Sequence, residues 1–178
     1  MDRYVIAFFI FSFLGWVWES IFCTIRQHKW ANRGFLYGPV CPIYGFGALF
    51  GFIIYDFIKA GYLPQLEWWM IFCLGFLISM ILEYSISWSF EKLFHARWWD
   101  YSTTPLNIDG RTSVPTSIGF GLAAILIMKV LIPLVDRGIQ FISEPFLSIL
   151  ALVLISLVSI DSTLTVSSLT DFQKYVSS

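Results

Sequence analysis

Residues 68–90 read WWMIFCLGFLISMILEYSISWSF, and Glu83 is the one formal charge in that run. A helix needs about 20 residues to cross a hydrocarbon core of about 30 Å, so the stretch is long enough to span a bilayer. It is far longer than a barrel strand, and in lipid only a helix or a closed barrel satisfies its backbone internally. The reading is therefore a transmembrane helix with a carboxyl group inside it. Four other runs meet the same test, at 4–25, 40–59, 116–134 and 146–167.

Composition agrees with that reading. Of 178 residues, 57% are hydrophobic and only 13% charged, with a mean hydropathy of +0.74. Soluble domains carry about 25% charged residues. Soluble enzyme, disordered chain and disulfide scaffold are thereby excluded. The expected fold is all-α: a polytopic membrane helix bundle of about five transmembrane helices, forming one transmembrane domain over 1–178. Pro39, Pro42, Pro64, Pro115, Pro133 and Pro145 fall at the run ends, where a helix start or stop costs least. The first run lacks a small-residue cleavage site and is read as a retained span. Cys23, Cys41 and Cys73 lie in or beside apolar runs without CxxC spacing, which suggests buried packing residues in a reduced setting. Eleven basic against twelve acidic residues give no sign of a nucleic-acid partner.

Lysine and arginine set the expected direction. Arg26, Lys29, Arg33, Lys92, Arg97, Arg111 and Lys174 fall on one side, and Arg3, Lys59, Lys129 and Arg137 on the other. The richer side is expected to face the cytoplasm, with the amino terminus outside. Trp30, Trp68, Trp69, Trp98, Trp99 and Tyr101 lie near span ends, as interfacial anchors do.

Glu19, Glu83 and Asp161 each occupy the sixteenth position of their span, in three spans that run in one direction. The three carboxyls are therefore expected at one level, about 9 Å inside the cytoplasmic end, at 1.5 Å per residue. An acid facing lipid costs about 2.5–3.5 kcal/mol near a helix centre, so the cheaper arrangement turns all three into a shared polar cavity. The alternative is that each acid bonds a neighbour and clamps the helices together. Glu19 precedes Arg33, and Glu83 precedes Arg97, by fourteen residues each. That echo suggests two parallel helix–loop–helix units followed by one helix.

Two loops flank this level. Residues 32–45 combine one charge, Arg33, with glycine, proline and aromatics, which suits a buried or re-entrant turn. Residues 97–111 hold Trp98, Trp99, Asp100, Tyr101, Asn107 and a turn at Asp109-Gly110. Arg33, Arg97 and Arg111 have two possible partners, the acids or the lipid phosphates. Inward arginines suit a zwitterionic or anionic solute; outward ones leave the acids to a cation or proton. Glu91 lies on nearly the same helix face as Glu83, and with Lys92 beside it reads as an interfacial salt bridge.

Gly15-Trp16-x-x-Glu19, Asn32-Arg33-Gly34-Phe35-Leu36-x-Gly38-Pro39-x-x-Pro42-Ile43-Tyr44-Gly45, Leu82-Glu83-Tyr84, Glu91-Lys92-Leu93-Phe94 and Arg97-Trp98-Trp99-Asp100-Tyr101, followed by Pro105, Asn107 and Gly110-Arg111, stand in that order. The series resembles the type IV ABC-transporter permease family, bacterial multi-span membrane proteins, over residues 10–135. Phe120-Gly121 stands where that pattern has Trp-Gly, and Thr112-Ser113 where it has apolar residues and a cysteine.

The resemblance implies a permease-like transport component of the bacterial cytoplasmic membrane. The depth of the acids and the make-up of the two loops, not the resemblance, give the candidate substrate-binding residues: Glu19, Glu83, Asp161, Arg33, Arg97, Asp100, Tyr101, Asn107 and Arg111. The alternatives are a non-transporting assembly or regulatory protein, and a membrane enzyme acting on a lipid headgroup. The chain has no GxxxxGK[ST] phosphate loop, so an energised mechanism implies a separate ATPase subunit beside the lipid bilayer. No cofactor and no metal are expected. Gly47-x-x-x-Gly51 marks a face for close helix packing, within the chain or in a homo-oligomer.

Overall fold

The structure is a computed structural model that describes residues 1–30 and 34–176, the side chains of 26–27 and 169–176 excepted. The chain is all-α, with helices α1 (Asp2–Gln27), α2 (Pro42–Lys59), α3 (Trp68–Phe94), α4 (Val114–Leu126), α5 (Ile132–Gln140) and α6 (Glu144–Val176). Two two-residue strands, β1 (Asn107–Ile108) and β2 (Thr112–Ser113), pair antiparallel before α4. Five stretches are long and apolar enough to cross a membrane: Asp2–Ile25, Pro42–Lys59, Trp68–Phe94, Val114–Gln140 and Glu144–Ser168. All five expected spans are thus helices of a multi-pass membrane protein.

Their boundaries shift for local reasons. The third helix runs a turn beyond Phe90 to Phe94, where the Phe90, Phe94 and Trp98 rings meet with centroids 5.0–6.1 Å apart. His95 then ends it in the left-handed region at φ 51°, its N–H returning to the Glu91 carbonyl. The fourth begins at Val114 because Ser113 caps it. The Ser113 hydroxyl accepts the Thr116 N–H at 3.4 Å, and Pro115 sits in the first turn, where its missing donor costs nothing.

Pro133, expected at a helix end, lies inside a continuous helical run. A proline ring collides with the carbonyl four residues back and supplies no N–H to it. The chain answers with a π-helical turn at Ile127–Leu131, in which the Ile132 N–H bonds to the Ile127 carbonyl. The wider turn absorbs the ring, and the helix continues to Gln140.

The chain divides into two compact units, Met1–Leu49 with Asp136–Ser178, and Phe50–Val135. In the first, α1 packs on α6, over a core that includes Ile6, Ala7, Leu147 and Ala151. Arg3 pairs with the buried Asp136 at 2.8 Å, and the Ser148 hydroxyl donates to Asp2. The start of α2 comes so close to α1 that a Cβ on Gly45 would lie 2.1 Å from the Ser12 hydroxyl oxygen.

In the second unit, α3 packs along α4. Gly75 lies against Ala124 and Gly121, and Gly121 lies against Phe72. Small residues let the two backbones approach, which is how membrane helices gain packing where lipid supplies no hydrophobic drive. Gly47 faces open space, while Gly51 meets Met128 and Ile132. Cys23 and Cys41 are buried as expected, but Cys73 is exposed, on a face of α3 that its own unit leaves uncovered.

Candidate functional site

Glu83, Ser87 and Glu91 are spaced by four along α3, so they fall on one helix face. Glu83 is only 4% exposed. Its carboxyl accepts the Tyr101 hydroxyl at 2.9 Å and the Thr112 hydroxyl at 2.8 Å, one on each oxygen. The Thr112 hydroxyl oxygen lies 3.5 Å from that of Ser117, and the buried Ser87 hydroxyl has no hydrogen-bond partner among the described residues. An intramembrane acid is thereby held by hydroxyls that reach it from the 95–113 connection.

That connection folds tightly enough to place them. Asp109 and Gly110 both take positive φ, at 52° and 68°, and turn β1 back onto β2. A Cβ at Gly110 would stand 2.7 Å from the Asp100 carboxylate, so glycine is required there. The Asn107 side chain donates to the Ser102 and Thr104 carbonyls and accepts the Gly110 N–H. The Tyr101 N–H donates to the Gly110 carbonyl, and the Trp99 indole N–H to that of Arg111 at 2.7 Å. Asp100 accepts the Ser102 N–H at 2.9 Å, which holds its carboxyl below the usual aspartate range. That contribution is therefore present at neutral pH and is lost in acid, as pH falls through the depressed value.

The arginines settle on Glu91. Arg97 Nε lies 3.3 Å from one Glu91 oxygen, and Arg111 Nη2 pairs with the same atom. Lys92, the partner expected from the sequence, makes no ion pair among the described residues. The Arg111 guanidinium also lies over the Tyr84 ring at 5.7 Å, and the Tyr84 hydroxyl donates to Asp109 at 2.9 Å. Arg111 is 11% exposed at its side chain, yet its Nε and Nη1 atoms are buried and have no hydrogen-bond partner among the described residues. Such orphaned donors are costly unless something accepts from them.

In the first unit, Asp161 on α6 holds the other loop. Its two oxygens accept the Tyr37 N–H at 3.0 Å and the Gly38 N–H at 2.8 Å, and Thr165 donates to it at 3.3 Å. Asp161→Ala leaves both amides without an acceptor. A hydrogen bond to a charged group is worth about 1.5–3 kcal/mol, so their hydrogen exchange should quicken by about tenfold or more, while Asp161→Asn should show a smaller change. Equal exchange in all three proteins would show that Asp161 does not hold this loop. Glu19 is half-buried on α1. Arg33 and Asn32 lie outside the described residues.

Of the residues singled out from sequence, Glu83, Arg97, Asp100, Tyr101, Asn107 and Arg111 gather at the end of α3. Glu19 and Asp161 belong to the first unit, so the common level expected for the three acids is not a relation within either unit. Sequence reasoning passed over Thr112, Tyr84 and Asp109, and gave Glu91 the wrong partner. The spacing of Glu91 from Glu83 carried the signal, since both had to face whatever covers that side of α3. Trp98, Trp99 and Tyr101 are parts of this cap and not interfacial anchors alone.

The chain matches the family described as "Putative ABC-transporter type IV" over residues 6–166. The match runs beyond residue 135, where the resemblance read from the sequence ends. Among curated proteins and among solved structures nothing matches.

Proposed function

The chain belongs to the ABC-transporter type IV family, and from that premise we propose that it is the permease-like membrane component of a bacterial transport system whose ATPase is a separate subunit. The observation that carries this reading is Glu83, a carboxyl buried within an apolar membrane helix. Intramembrane acids are expensive and mark solute or ion pathways by default. Arg111 adds two buried donors that find no acceptor among the described residues, which favours a solute with an anionic end. On this reading Glu83, Tyr101 and Arg111 contact the solute, while Arg97, Asp100 and Asn107 shape the loop that presents them. Glu19 and Asp161 supply the intramembrane carboxyls of the first unit. The loops after α1 and α3 face the cytoplasm, following the excess of lysine and arginine there.

A second reading, a non-transporting assembly protein, draws support from one observation. Both oxygens of Glu83 and both of Asp161 accept bonds from loop residues, as a clamp requires. Flux in liposomes reconstituted with the partner ATPase distinguishes the two. Glu83→Gln keeps a hydrogen-bonding side chain of the same length but removes the charge. Transport predicts a fall in flux of about tenfold or more, the loss of one charged hydrogen bond, with an unchanged melting midpoint. Undiminished flux in the variant, or none from the folded native protein, removes the transport reading.

A further inference from the structure

At the far end of α3 from the cap, the second unit holds a cleft of about 310 Å³. Its polar wall is made by Tyr55 and Lys59 near the end of α2, Gln65 in the connection, and Lys129 in the π-helical turn. Its apolar wall includes Ile58, Met128 and Pro133. Among the described residues that line it there is no acid. The volume is at the lower end of the range for small-molecule sites.

Each cation is positioned. The Lys129 ammonium donates to the Leu66 carbonyl at 2.9 Å, and the Lys59 ammonium lies over the Tyr55 ring at 5.8 Å. The Leu66 carbonyl takes one of three ammonium donors and leaves two for another acceptor. Lys129 and Met128 both belong to the π-helical turn that precedes Pro133, and π-helical turns frequently occur at functional sites. Exposed Trp68 and Trp69 begin α3 between Leu66 and Ile71, which line the cleft, and indoles favour the membrane–water boundary.

We propose that this cleft binds a phosphate-bearing anion at the membrane surface, the headgroup of an anionic phospholipid. Lys59 and Lys129 hold the phosphate, Tyr55 and Gln65 bond the headgroup hydroxyls, and the apolar wall takes the start of the acyl chains. The site is separate from the Glu83 cluster and does not depend on the transport reading.

Native mass spectrometry of the detergent-solubilised protein, titrated with phosphatidylglycerol or phosphatidylcholine of matched chains, tests it. Phosphatidylglycerol should bind more tightly. A basic side chain near a lipid surface contributes about fivefold in affinity, so Lys59→Gln with Lys129→Gln should lose about twenty-five-fold. Lys59→Arg with Lys129→Arg keeps the charge and should retain the preference, which separates lost binding from lost folding. A parallel titration with glycerol phosphate identifies the source: competition at matched concentration means that the site takes the phosphate from water as readily as from lipid, and the anion site stands. Equal binding of the two lipids, or a preference that survives in the double glutamine variant, overturns the proposal.

Discussion

Gly75→Ala is expected to destabilise the protein by about 2–3 kcal/mol, although alanine is the better helix former by about 1 kcal/mol. A Cβ at this position would stand 2.4 Å from the Ala124 Cβ, 3.4 Å from the Gly121 Cα and 3.4 Å from the Phe120 carbonyl oxygen. None of these atoms is the far end of a flexible side chain that can swing aside. The backbones of α3 and α4 must separate, and the dispersion contacts along the shared face weaken with them. Those contacts matter more in a membrane than in water, because burial from lipid gives little in return. Thermal unfolding in detergent measures the loss. Two companions make the result specific. Ala124→Gly should restore most of the stability in the Gly75→Ala background, since it removes the atom that is struck. Gly119→Ala, at a position with open space around it, should leave stability unchanged or raise it. An unchanged midpoint for Gly75→Ala would mean that α3 and α4 do not meet at this point.

The contrast between Gly75 and Gly47 shows how far the sequence could be read. Hydropathy locates all five helices, because each needs about 20 apolar residues to cross a bilayer. It does not say which face of a helix meets which neighbour. The Gly47-x-x-x-Gly51 spacing draws attention as a pattern, yet Gly47 faces open space, and the closest approaches lie outside that pair, at Gly15, Gly45 and Gly75. Pro133 misleads for a related reason. A proline signals a helix end only when the helix cannot widen, and here a π-helical turn lets it continue. At the cap, Glu83 was legible because a lone charge in an apolar run demands an explanation. Thr112 was not, since a buried threonine has no signature apart from the acid it serves. The arginines had two plausible partners in the sequence, and a third, Glu91, receives both Arg97 and Arg111.

That choice of partner sets an unequal pattern of damage. Glu91→Gln should lower the melting midpoint clearly more than Arg111→Gln does. The reason is burial. Arg111 is 11% exposed at its side chain, so removing the Glu91 charge strands a guanidinium whose Nε and Nη1 have no hydrogen-bond partner among the described residues. Removing Arg111 instead leaves Glu91, 37% exposed, with Arg97 and water for company. Breaking a fully buried pair is strongly destabilising, and the partial exposure of Glu91 brings the expectation down from there. The double variant should be more stable than Glu91→Gln alone, because the stranded cation is gone. A double-mutant cycle on thermal unfolding reads this coupling directly. Limited proteolysis within residues 95–113 should follow the same ranking, as these pairs hold the connection to the end of α3. If Arg111→Gln proves the more damaging single change, the guanidinium must be serving something other than Glu91, and its unpaired donors would be the place to look.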